Sequence, residues 1–77
     1  MAGNSDKPNK TTVNGKKVFY DYDFNQGVQI RYITNRMGGM YADATSLEVG
    51  TEEDVFWREA ESTIAERISD GTTKPKY

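Results

Sequence analysis

Cysteine and histidine are both absent from the 77 residues of this chain. Without cysteine there can be no disulfide framework and no thiolate metal site. The staple used by most small secreted domains is therefore excluded, and a reducing cytoplasm is the natural setting. The lack of histidine removes the commonest general base, the commonest zinc ligand and the side chain that titrates near neutrality. No apolar run approaches the roughly 18 residues that a membrane span needs. The opening Met1-Ala2-Gly3-Asn4-Ser5-Asp6-Lys7 holds no apolar stretch of the signal-peptide kind. Ala2, in place of glycine, fails the myristoylation pattern. Asn9-Lys10-Thr11 matches a glycosylation sequon, but no export signal accompanies it. These absences give the expectation of a cytoplasmic protein that does not enter a membrane.

A chain this short forms one domain and buries only about 60% of its unfolded surface, so each apolar residue carries weight. The net charge of -2 conceals an asymmetry. Lys7, Lys10, Lys16 and Lys17 face only Asp6 in residues 1–17. In residues 52–70, Glu52, Glu53, Asp54, Glu59, Glu61, Glu66 and Asp70 face only Arg58 and Arg67. The chain begins basic and ends in an acidic segment.

Residues 1–12 are polar and aperiodic and read as a disordered lead-in. Asn14-Gly15 is a turn dipeptide, which would make a short hairpin if Thr11 to Val13 were extended. From Lys17 to Phe24 the pattern alternates, with Val18, Tyr20, Tyr22 and Phe24 on one face and Phe19, Asp21 and Asp23 on the other. After Asn25-Gln26-Gly27, residues 28–34 alternate again through Val28, Ile30 and Tyr32. A three-residue loop ending in glycine suits a hairpin with a left-handed last loop residue. It sets Phe24 opposite Val28, Tyr22 opposite Ile30, Asp21 opposite Arg31, Tyr20 opposite Tyr32 and Phe19 opposite Ile33, so that apolar meets apolar and acid meets base. Residues 40–45 alternate weakly and supply a third strand.

Thr51-Glu52-Glu53-Asp54 resembles a capping box, and its carboxylates suit a helix N-terminus. Phe56, Trp57, Ala60, Ile64 and Ile68 fall on one stripe, and Gly71 supplies a stop. The expected fold class is α+β: a small antiparallel sheet of about three strands (17–24, 28–34 and 40–45) packed on one helix over 52–70. The domain runs over 13–71, with a polar tail over 72–77.

No catalytic set, phosphate loop, metal constellation or cofactor motif is visible. Asp21 and Asp23 share a strand face, as paired catalytic carboxylates do, but a cross-strand salt pair between Asp21 and Arg31 accounts for them more simply. Phe19 and Ile33 are apolar on an otherwise polar sheet face that a single helix leaves uncovered, next to Met37 and Met40, whose side chains adapt to many surfaces. Trp57, at the edge of the helix stripe, is a residue type enriched at binding hot spots, although a small core uses it as readily for packing. Glu52, Glu59 and Glu66, seven residues apart, form an acidic row. These residues point to a non-enzymatic protein-binding module, an inhibitor or adaptor that occupies a surface of a larger protein. In size and charged tails it resembles accessory proteins of phages and mobile elements. A second reading is a nucleic-acid-binding domain in which Tyr20, Tyr22 and Tyr32 stack on bases while Lys16, Lys17 and Arg31 meet phosphates. A third is a structural homodimer that pairs sheet edges.

Overall fold

The computed structural model describes residues 7–76. The chain runs β1 (Asn9–Val13), β2 (Lys16–Asp23), β3 (Gly27–Thr34), β4 (Met40–Asp43) and α1 (Glu52–Ser69). The strands form one antiparallel sheet in the order β1-β2-β3-β4, with the helix across one face. This is the α+β architecture expected, with a fourth strand added at the N-terminal edge.

That added strand corrects the reading of residues 9–12 as part of a disordered lead-in; residues 1–6 lie outside the described residues. Asn14 and Gly15 both take left-handed backbone, with φ of 48° and 85°, which is the two-residue hairpin geometry favoured by Asn-Gly. The turn pairs Val13 with Lys16 and carries the ladder back to Asn9 opposite Tyr20. Asn9 and Val13 become buried, while Lys10 and Thr12 stay exposed.

The β2–β3 hairpin closes one residue earlier than the loop pattern predicts. Asp23 pairs with Gly27, and the Asp23 carboxylate accepts a hydrogen bond from the Gln26 amide at 3.1 Å, the local bond that recommends aspartate at the start of a turn. Gly27 is left-handed, with φ of 78°. Phe24 therefore sits in the turn, 87% exposed, and not on the core face opposite Val28. Tyr22 pairs with Val28 and Tyr20 with Ile30, but Phe19 then pairs with Tyr32 and Val18 with Ile33. Arg31 is the extra residue of a β-bulge, and it reverses the facing of everything after it. Tyr32 turns outward. Ile33 turns into the core and is fully buried. A second irregularity leaves Tyr41 as the extra residue of β4, between the Ile33–Ala42 and Thr34–Met40 pairs.

Strand β4 ends at Asp43, short of residue 45. The Asp43 carboxylate takes hydrogen bonds from the Thr45 amide, the Thr45 hydroxyl and the Ser46 hydroxyl, drawing the backbone into a turn. The core consists of Val13, Val18, Tyr20, Ile30, Ile33 and Ala42 from the sheet and Trp57, Ala60 and Ile64 from the helix. Tyr22, Val28, Tyr41, Leu47, Phe56 and Ile68 close its margin. The helix begins as its sequence signature requires: the Thr51 hydroxyl accepts from the Asp54 amide at 3.2 Å, and the Asp54 carboxylate accepts from the Gly50 amide at 3.0 Å. Gly71, left-handed with φ of 86°, lets the backbone bond back to the last turn of α1.

Candidate functional site

Among the described residues α1 is the one helix, and it covers one sheet face. The other face is organised around the pair that the β3 bulge creates. Lys10, Phe19, Tyr32 and Asp43 lie in one row across the four strands. On the two central strands the Phe19 and Tyr32 rings stack, with centroids 4.5 Å apart and planes inclined by 18°. Both residues are half-buried. A parallel stack on a solvent-facing sheet is good cross-strand packing, yet it leaves aromatic surface in water with no helix or strand among the described residues laid over it.

Polar groups frame the pair. The Arg31 guanidinium grips the Asp21 carboxylate with two bonds, Nε to Oδ2 at 2.9 Å and Nη2 to Oδ1 at 3.0 Å. The acid–base pair read from the sequence thus forms, but from a bulge position, since the strand partner of Asp21 is Gln29. Lys10, opposite Phe19 on β1, and Lys17, two residues before Phe19 on β2, are exposed. Met40, at the β4 end, is 58% exposed, and Met37 in the preceding loop is 93% exposed.

The remaining candidates separate. Ile33 is not a surface residue, because the bulge places it under the helix. Trp57 is 7% exposed with its ring in the core, so it is not part of any accessible patch. Glu52, Glu59 and Glu66 are exposed on α1, on the opposite side of the molecule from the Phe19–Tyr32 stack. The three-tyrosine platform does not exist. Tyr20 is 1% exposed beneath the helix, Tyr22 packs against the core, and the bulge puts Tyr32 on the other face. Lys16 is committed elsewhere, its ammonium 4.7 Å from the Tyr41 ring centre and 5.2 Å from that of Phe56. Those two rings meet edge to face at 5.8 Å. Lys17, Arg31 and Tyr32 do share the open face.

The shifts in acidity trace to hydrogen bonds, burial and nearby carboxylates. Hydrogen bonds from Thr45 and Ser46 hold the Asp43 carboxyl below its ordinary value. Burial raises the Tyr41 phenol, reinforced by the Glu52 and Glu53 carboxylates. Burial also raises Tyr20 and Glu61. Among the described residues no group of three or more His, Cys, Asp or Glu side chains is placed to hold a metal ion, and no helix is long and apolar enough to cross a membrane.

Sequence reasoning missed a second grouping. The C-terminal tail does not trail away from the helix: the Lys76 amide donates to the Asn9 side chain at 2.7 Å, and Arg67 Nη1 donates to the Thr12 carbonyl at 2.9 Å. These bonds join positions more than fifty residues apart, and no local pattern announces them. Comparison with family models, with curated proteins and with solved structures finds no match for this chain.

Proposed function

We propose that this protein is a small non-enzymatic protein-binding module, an inhibitor or adaptor, that acts by laying its open sheet face on a larger protein in the cytoplasm. The observation that carries this reading is the Phe19–Tyr32 stack, uncovered at the centre of the two middle strands. Binding energy concentrates in central aromatic anchors surrounded by polar groups that exclude water. The Asp21–Arg31 pair, Lys10, Lys17 and Gln29 form such a rim, and Met40 and Met37 add adaptable apolar contact at one end. A rigid sheet loses little conformational freedom on docking. Trp57 and Ile33 serve this surface only from behind, by holding the sheet flat on the helix. The chain's size and charged tails support a mobile-element or phage origin.

The test is affinity capture from nuclease-treated lysate of the source organism or its natural host, with the intact protein and with a Phe19→Ser/Tyr32→Ser variant as baits. The intact bait should retain a stoichiometric protein that the variant loses while keeping its folded circular dichroism spectrum. Retention of the same protein by both baits sinks the proposed surface.

Nucleic acid is the second reading, favoured by charge layering. Residues 7–43 carry six basic and three acidic side chains, whereas residues 44–70 carry eight acidic and two basic. The sheet layer is thus the basic one, with Lys10 and Lys17 beside an aromatic pair able to stack on bases. On this reading single-stranded oligonucleotides bind, with affinity that falls steeply as salt rises, and absence of any binding at low salt removes it.

A further inference from the structure

The tail packing creates a cleft that the open sheet face does not include. It lies at the β1 edge, has a volume of about 380 Å³, and is lined by Asn9, Lys10, Tyr20, Thr73, Lys74 and Lys76 among its residues. Three of the molecule's lysines converge there from the two ends of the chain. None of the three forms an ion pair with a described carboxylate, and no acidic residue is among the described residues that line the cleft.

The convergence is imposed by the backbone. The Thr72 amide bonds to the Asp70 carboxylate at 3.0 Å, and the Thr73 amide to the Arg67 carbonyl at 3.1 Å. The Lys76 amide then bonds to the side chain of Asn9, itself only 8% exposed. A polar tail could spread its lysines into water, where like charges repel least. This one is tied against a strand that brings a further lysine. Lysines that line one cleft with no described carboxylate among its lining residues suit a compact anion, to which each lysine presents a point charge with several donors.

We propose that this cleft binds an oxyanion of the phosphate type, held by Lys10, Lys74 and Lys76. The site does not depend on the Phe19–Tyr32 surface, although Lys10 stands beside both. The experiment is a titration of the full-length protein with inorganic pyrophosphate at constant ionic strength, followed by amide chemical shifts. Saturable shifts at Asn9, Lys10, Lys74 and Lys76 are expected. Lys10→Gln, and Lys74→Gln with Lys76→Gln, should each weaken binding at least tenfold, whereas Lys17→Gln should change it less than twofold. Phe19→Ser/Tyr32→Ser should leave it unchanged, which separates this site from the protein-binding surface.

A 5′-phosphorylated dinucleotide in place of pyrophosphate distinguishes the sources of the anion. Equal affinity assigns the site to a free oxyanion. Tighter binding with added shifts at Phe19 and Tyr32 assigns it to the end of a nucleic-acid strand. Shifts that never saturate, that sodium chloride reproduces, or that Lys17→Gln reduces as much as the cleft variants do, overturn the proposal.

Discussion

Replacing Ile33 by alanine should cost far more stability than replacing Phe19, and the difference measures the β3 bulge directly. Ile33 is fully buried between Val18, Ala42 and the helix. Truncating such a side chain removes its transfer free energy and leaves a cavity, together about 2–5 kcal/mol. A domain of this size has a net stability of roughly 4–12 kcal/mol. With about 4–8 °C lost per kcal/mol in domains of 60–100 residues, a cost near 3 kcal/mol lowers the unfolding midpoint by about 12–24 °C. Phe19 is half-buried, and what it loses is chiefly its stack on Tyr32, about 0.5–1.5 kcal/mol. Without the bulge, Phe19 and Ile33 would face each other on the open side, and both substitutions would cost similarly little. Thermal melts followed by far-ultraviolet circular dichroism decide between the two registers. Comparable midpoints for the two variants would falsify the bulged register and with it the aromatic pair.

Three further outcomes follow from local geometry. Thr51→Ala removes the hydroxyl that caps the Asp54 amide and should destabilise the protein by about 1 kcal/mol in urea unfolding; no change would mean that the cap bond contributes nothing. Asp21→Asn loosens a two-bond grip whose partners are each about one-third exposed, so the loss should stay below about 1 kcal/mol and shrink in high salt, and a larger, salt-insensitive loss would contradict a surface pair. Burial holds the Tyr20 phenol above its ordinary value of 10.0, so the folded chain keeps a proton that the unfolded chain releases. Its contribution is complete below that pH and is lost as pH rises past it toward the folded value. Tyr20→Phe should therefore flatten the decline of stability above pH 10, and an unaltered alkaline decline would refute the assignment.

The helix was legible because several local signals agree: a capping threonine, an acidic first turn, an apolar stripe from Phe56 to Ile68 and a stop at Gly71. The Asn14-Gly15 turn is legible too, but the strand before it is not, because Asn9 to Thr12 are polar residues that extend only when β2 is beside them. The register failed for a specific reason. Alternation through Val28, Ile30 and Tyr32 continues smoothly in the sequence, and a bulge at Arg31 leaves no mark on it, since one unpaired residue changes the facing of its successors without changing their identity. The candidate surface inherited that error. Met37 and Met40 are exposed and Phe19 is half-buried on the open face, whereas Tyr32, and not Ile33, is the partner of Phe19. The lysine cleft was illegible in principle, because it joins Lys10 to Lys74 and Lys76 through contacts that only the folded chain makes.

The proposal that the open sheet face, and not the acidic helix, meets the partner is the one to test first. It is tested most directly by placing a photo-crosslinking phenylalanine analogue at Tyr32 in one variant and at Glu59 in another, then irradiating each in nuclease-treated lysate of the source organism. A discrete protein adduct is expected from position 32 and none from position 59. An adduct from position 59 alone would contradict it.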